Sequence, residues 1–126
     1  MSVLALISDL MMQSQASSAA QRAGVTLRVV SSADALLEQA TQMQKSEAPI
    51  ELIVVDLSHP GLDPAGLMER LRPALSPGTA TLAFGPHVHK ARLEAAAAAG
   101  FASVMSRGQF HANMVSLLAG TIEPQR

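Results

Sequence analysis

Apolar residues in this chain fall into five short blocks, separated by longer stretches in which they recur every three or four positions. Residues 3–7, 25–30, 52–55, 80–84 and 102–105 form the blocks. A short, nearly continuous apolar run bounded by Gly, Pro, Ser or Asp reads as a strand covered on both faces. Between the blocks the spacing is helical. An alanine-rich and polar stretch over residues 11–23 is stopped by Gly24, as helices are by a residue that tolerates the left-handed conformation. Ser31-Ser32 offers an N-cap with Asp34 in the first turn, and Leu36, Leu37, Ala40 and Met43 line one face until Lys45 to Pro49 break the pattern. Asp63 precedes Pro64, a cap followed by proline at the first helical position; Leu67, Met68 and Leu71 make the stripe and Pro73 ends it. Residues 89–99 form a fourth helix closed by Gly100, and residues 109–120 a fifth with Phe110, Met114, Leu117 and Leu118 on one face.

Five strands alternating with five helices predict an α/β fold, a parallel sheet with helices on both sides. Right-handed crossovers leave few topologies, and the doubly wound, flavodoxin-like strand order 2-1-3-4-5 is the one favoured at this length. The 126 residues fit one domain with a single sizeable core.

Composition narrows the function. With 48% hydrophobic and 15% charged residues the chain is not disordered through excess charge. A formal net charge of −1 and 2% aromatics, with no Trp or Tyr, supply neither a basic stripe nor a stacking platform for nucleic acid. The absence of Cys removes disulfides, thiolate metal sites and a cysteine nucleophile. The apolar start, Met1 to Ile7, lacks a basic flank and is cut by Ser8-Asp9 well short of a membrane span, which predicts a cytoplasmic protein. The chain ends soon after its fifth helix in the short tail Thr121 to Arg126; a stand-alone module and a fragment of a longer protein both fit.

The informative chemistry lies at Asp56, which closes Leu52-Ile53-Val54-Val55 and is followed by Leu57-Ser58-His59-Pro60-Gly61-Leu62-Asp63-Pro64. The carboxyl ends of parallel strands are where such folds place ligands. In the order 2-1-3-4-5 strands one and three are neighbours, so Asp9 and Asp56 are expected side by side. Adjacent carboxylates repel unless a cation or a basic side chain joins them, and Mg²⁺ is the natural guest among hard ions.

These residues resemble the receiver family of response regulators, which accept a phosphoryl group on an aspartate in two-component signalling. The resemblance runs from Val3 to about Leu118 and is most specific over Asp56, Pro60, Gly61, Leu62 and Asp63. Ser31 to Leu36 is also similar to the start of the family's second helix, and Ala98-Ala99-Gly100-Phe101 to the small-residue turn before its fifth strand. It implies that Asp56 is the phosphoacceptor, that Asp9 and Asp56 are metal ligands for Mg²⁺, and that a histidine kinase or an output protein is a partner. Attack by a carboxylate on a phosphoryl donor needs a cation to neutralise and align the donor oxygens.

The supporting positions depart from the family's pattern. Ser8 stands at the first place of the acidic pair, Gly85 where a Ser or Thr hydroxyl belongs, and Arg107-Gly108 in place of Lys-Pro. Val104 replaces a frequent switching aromatic. Arg keeps the charge, but its planar fork is not interchangeable with an ammonium. Gly108 predicts a trans Arg107–Gly108 peptide, since a non-proline cis bond costs about 3 kcal/mol. The expectation is therefore a degenerate pseudo-receiver that signals by binding a protein, not by the usual phosphorylation switch. The alternatives are a working phosphoacceptor using Asp56 with Mg²⁺, and a small-ligand or metal-binding flavodoxin-like domain.

Other features weigh less. His59, His87 and His89 fall at the same sheet edge, yet Pro86-His87-Val88-His89 lacks a dedicated metal spacing. The run Ala95 to Ala99 fits a homodimer surface, given that the family dimerises through the fourth helix, fifth strand and fifth helix, and equally fits helix propensity alone. No catalytic elbow, phosphate-binding loop or dinucleotide fingerprint is present, so no enzyme is expected.

Overall fold

A computed structural model describes residues 2–46 and 50–120. The tail from Thr121 and the end of the expected break, at Pro49, lie outside the described residues. The elements are β1 (Ser2–Leu6), α1 (Leu10–Ala23), β2 (Thr26–Val30), α2 (Ala33–Gln44), β3 (Ile50–Asp56), α3 (Pro64–Leu71) with a 3₁₀ turn at Arg72–Ala74, β4 (Ala80–Gly85), α4 (Lys90–Ala99), β5 (Ser103–Ser106), α5 (Arg107–Ala112) and α6 (Met114–Leu118). All strand pairs are parallel and the sheet order is β2-β1-β3-β4-β5, as the apolar blocks predict.

Alternation along the central strands builds one core on each face of the sheet. Leu52 and Val54 of β3 join Val3, Ala5, Leu82 and Phe84 under α1, α5 and α6. Ile53 and Val55 join Leu4, Leu6 and Ala83 under α2, α3 and α4. Phe84 and Phe110 stack with ring centroids 4.2 Å apart and planes within 4°, tying β4 to α5.

Caps fix where the helices begin. Ser32 Oγ accepts the Ala35 N–H at 3.1 Å, and Asp9 Oδ1 accepts the Met11 N–H at 3.1 Å. Asp63 precedes Pro64 without a side-chain cap bond, so α3 starts on proline geometry rather than on a capping hydrogen bond. Gly24 ends α1 at φ 73°, in the left-handed region that glycine enters without a Cβ penalty.

One expectation needs correction: the single last helix over residues 109–120 is two helices, six in all among the described residues. The first begins at Arg107, because Ser106 and Gln109 form a reciprocal capping box with bonds of 3.1 and 3.0 Å. It breaks at Asn113, at φ −117° and ψ 20°. There the side-chain Nδ2 donates to the Gln109 carbonyl at 2.9 Å, competing with the helical ladder.

Candidate functional site

All five strands end in one layer. Leu6 pairs with both Val30 and Val55, Asp56 with Phe84, and Gly85 with Ser106. The carboxyl edge of the sheet thus gathers Ser8, Asp9, Asp56, Gly85 and Arg107, and the Arg107–Gly108 peptide is trans.

Asp56 is 2% exposed, at the end of the most central strand. Its Oδ1 accepts two hydrogen bonds from Ser58, from N–H at 2.9 Å and from Oγ at 2.7 Å. This is an Asx-type turn, in which a carboxylate takes the place of a backbone acceptor. Oδ2 makes no hydrogen bond among the described residues.

Asp9 does two jobs. One oxygen caps α1 through Met11, and the other forms an ion pair with Nη2 of Arg107. The two side chains are 41% and 39% exposed, so the pair sits at the surface of the edge. Ser8 Oγ shares a hydrogen bond with Nδ1 of half-buried His59, closing β1 against the β3–α3 turn. The turn is held from the other side as well: the Leu57 N–H donates to the Phe84 carbonyl at 2.7 Å, and Arg92 Nη1 donates to the Leu57 carbonyl at 2.7 Å.

Gly85 is buried, and a Cβ built on it would lie 3.2 Å from Cβ of Leu57. No hydroxyl faces Asp56 from this position. Beside it lies a cleft of about 450 Å³ lined by Asp9, Met11, Pro86, His87, Arg107 and His111 among others, with Asp56 absent from its wall.

The donor set does not fit Mg²⁺ in this arrangement. That ion takes several hard oxygens in near-octahedral geometry, whereas both oxygens of Asp9 and one of Asp56 are committed, and Ser8 is neutral and bonded to His59. Among the described residues no three His, Cys, Asp or Glu are grouped so as to hold a metal ion.

Sequence reasoning places Asp9, Asp56, Ser8, Gly85 and Arg107 at this edge. It does not anticipate the Ser58 bonds, the Ser8–His59 contact or the Arg92 clamp. Ser58, two residues after an aspartate, carries a readable local signal; the other two contacts join residues 51 and 35 positions apart and carry none.

No family model and no curated protein matches the sequence. Solved structures match its fold. A response regulator in red light signalling of R. palustris is 17% identical, with TM-score 0.71 over 95% of this chain and 90% of that one. A CheY-like response regulator receiver domain protein from Methanospirillum hungatei is 11% identical, with TM-score 0.74 over 95% and 91%. A response regulator from Burkholderia pseudomallei, with a phosphorylated aspartic acid, calcium ion and citrate, is 17% identical, with TM-score 0.73 over 93% of this chain and 65% of that one. The architecture is that of receiver domains; at these identities the likeness concerns the fold. No helix among the described residues is long and apolar enough to cross a membrane.

Proposed function

We propose that this chain is a receiver-like, cytoplasmic signalling module that acts by binding protein partners and is not switched by the usual aspartyl phosphorylation. The observation that carries the reading is Gly85. A receiver converts an added phosphate into a signal through a hydroxyl at the end of strand four, and here that place holds a glycine pressed against Leu57. With no side chain to contact a phosphoryl group on Asp56, β4 has nothing with which to report one. The Asp56 carboxylate is engaged by Ser58 in a local turn, which suits a structural residue as well as a nucleophile.

The partner classes are a histidine kinase or phosphotransfer protein upstream and an output protein downstream. A second copy meeting through α4, β5 and α5 is a further surface of this kind. The module has no catalytic activity of its own in this reading.

Incubation of the purified chain with acetyl phosphate and Mg²⁺, followed by intact mass measurement, tests it. The expected result is no stable added phosphate. A phosphate adduct on the wild type that disappears in Asp56→Asn overturns the reading and makes the chain a working phosphoacceptor.

A further inference from the structure

Two carboxylates at the ends of neighbouring strands are favoured in their charged forms by a positive charge nearby. The edge of β1 and β3 presents this situation with Asp9 and Asp56. We infer that the chain supplies that charge internally: the Arg107 guanidinium is the built-in counter-ion of this edge, and while it is paired with Asp9 the edge is closed to divalent cations. The inference rests on the reading above, in which this edge is no phosphorylation centre, and adds the reason that it takes no metal.

The Asp9 carboxylate and the Arg107 backbone are each positioned by other bonds. Asp9 is oriented by its cap bond to Met11. Arg107 occupies the first position of α5, whose start is pinned by the reciprocal bonds of Ser106 and Gln109. These bonds fix the Arg107 backbone, and its planar fork loses less freedom per hydrogen bond than a flexible ammonium does. The first turn of a helix is an unfavourable place for a cation. The helix therefore offers no reason of its own for Arg107 to stand there, and the neighbouring carboxylate does.

The consequence for metal binding is direct. A divalent ion approaching Asp9 has to displace a charged partner from Oδ2 and come within contact distance of that same positive charge. Asp56 alone, with one oxygen outside the Ser58 turn, offers too few donors.

Calorimetry and amide NMR of the full chain titrated with Mg²⁺ at constant ionic strength, with no phosphate donor present, test the inference. The wild type is expected to show no saturable binding at millimolar Mg²⁺. Arg107→Gln is expected to bind, with shifts confined to the amides around residues 9 and 56–58 and a gain of about ten-fold or more, the scale of one unit charge at contact distance. Asp9→Asn added to Arg107→Gln is expected to abolish the gain. Saturable binding by the wild type, or none by a folded Arg107→Gln, overturns the inference; should Arg107→Gln not fold, the wild-type titration still decides. A wild type that binds Mg²⁺ yet takes no phosphate refutes this inference and leaves the proposed function standing. Phosphorylation of Asp56 without saturable Mg²⁺ binding does the reverse.

Discussion

Gly85 and Leu57 face each other across β4 and the end of β3 so closely that a methyl group would crowd them: a Cβ on Gly85 would stand 3.2 Å from Cβ of Leu57. Leu57 is held on several sides. It is 1% exposed, its N–H is bonded to the Phe84 carbonyl and its own carbonyl to Arg92. Replacing glycine by alanine at an unstrained site commonly stabilises by about 0.4–1 kcal/mol. Here overpacking wins, and Gly85→Ala is expected to destabilise by about 1–3 kcal/mol. Urea unfolding decides the sign; a gain in stability would show that the strand end has slack.

The Asp9–Arg107 pair predicts an ordering of variants. Arg107→Gln removes a half-exposed ion pair, worth roughly 0.2–1 kcal/mol. Asp9→Ala removes the pair and the cap of α1, so it is expected to cost about 1 kcal/mol more. Asp9→Asn keeps a capping oxygen and should fall close to Arg107→Gln. Denaturant midpoints of the three variants test the order, and equal costs for Asp9→Ala and Asp9→Asn would refute the cap contribution.

Ser103 is 1% exposed on β5, and its Oγ has no hydrogen-bond partner among the described residues. A buried, unpaired hydroxyl carries its full desolvation cost, about 1–3 kcal/mol. Ser103→Ala is expected to raise the unfolding temperature, whereas most core substitutions lower it. A decrease would mean that the hydroxyl is satisfied in solution.

Arg92 reaches from α4 to the backbone carbonyl immediately after Asp56. Arg92→Ala is expected to speed amide exchange across residues 57–62 while leaving the central strands protected, because it frees a turn and not the core. Unchanged exchange there would show that the Phe84, Ser8 and Ser58 bonds hold the turn without Arg92.

Much of this architecture is legible from the chain. The apolar runs ending in Ile7, Val30, Val55, Phe84 and Met105 lie on five parallel strands in the expected order because burial on both faces leaves a signal in composition. The fifth helix was not legible as two, since Asn113 interrupts an otherwise continuous stripe only through where its amide points. At the site, Asp9 and Arg107 are visible as charges after strands one and five. That they pair with each other is a matter of side-chain direction, which spacing does not encode. Gly85 can be read as a missing hydroxyl, but the crowding that any side chain there would meet comes from Leu57, 28 positions earlier.

The stacked rings of Phe84 and Phe110 have a spectroscopic corollary. With neither Trp nor Tyr in the chain, only three phenylalanines contribute aromatic signal, and two of them are locked face to face where β4 meets α5. Near-ultraviolet circular dichroism of the unmodified protein therefore reads the junction beside Gly85 and Arg107 with Phe101 as the other aromatic contributor, giving a label-free view of whether that corner moves when a partner binds.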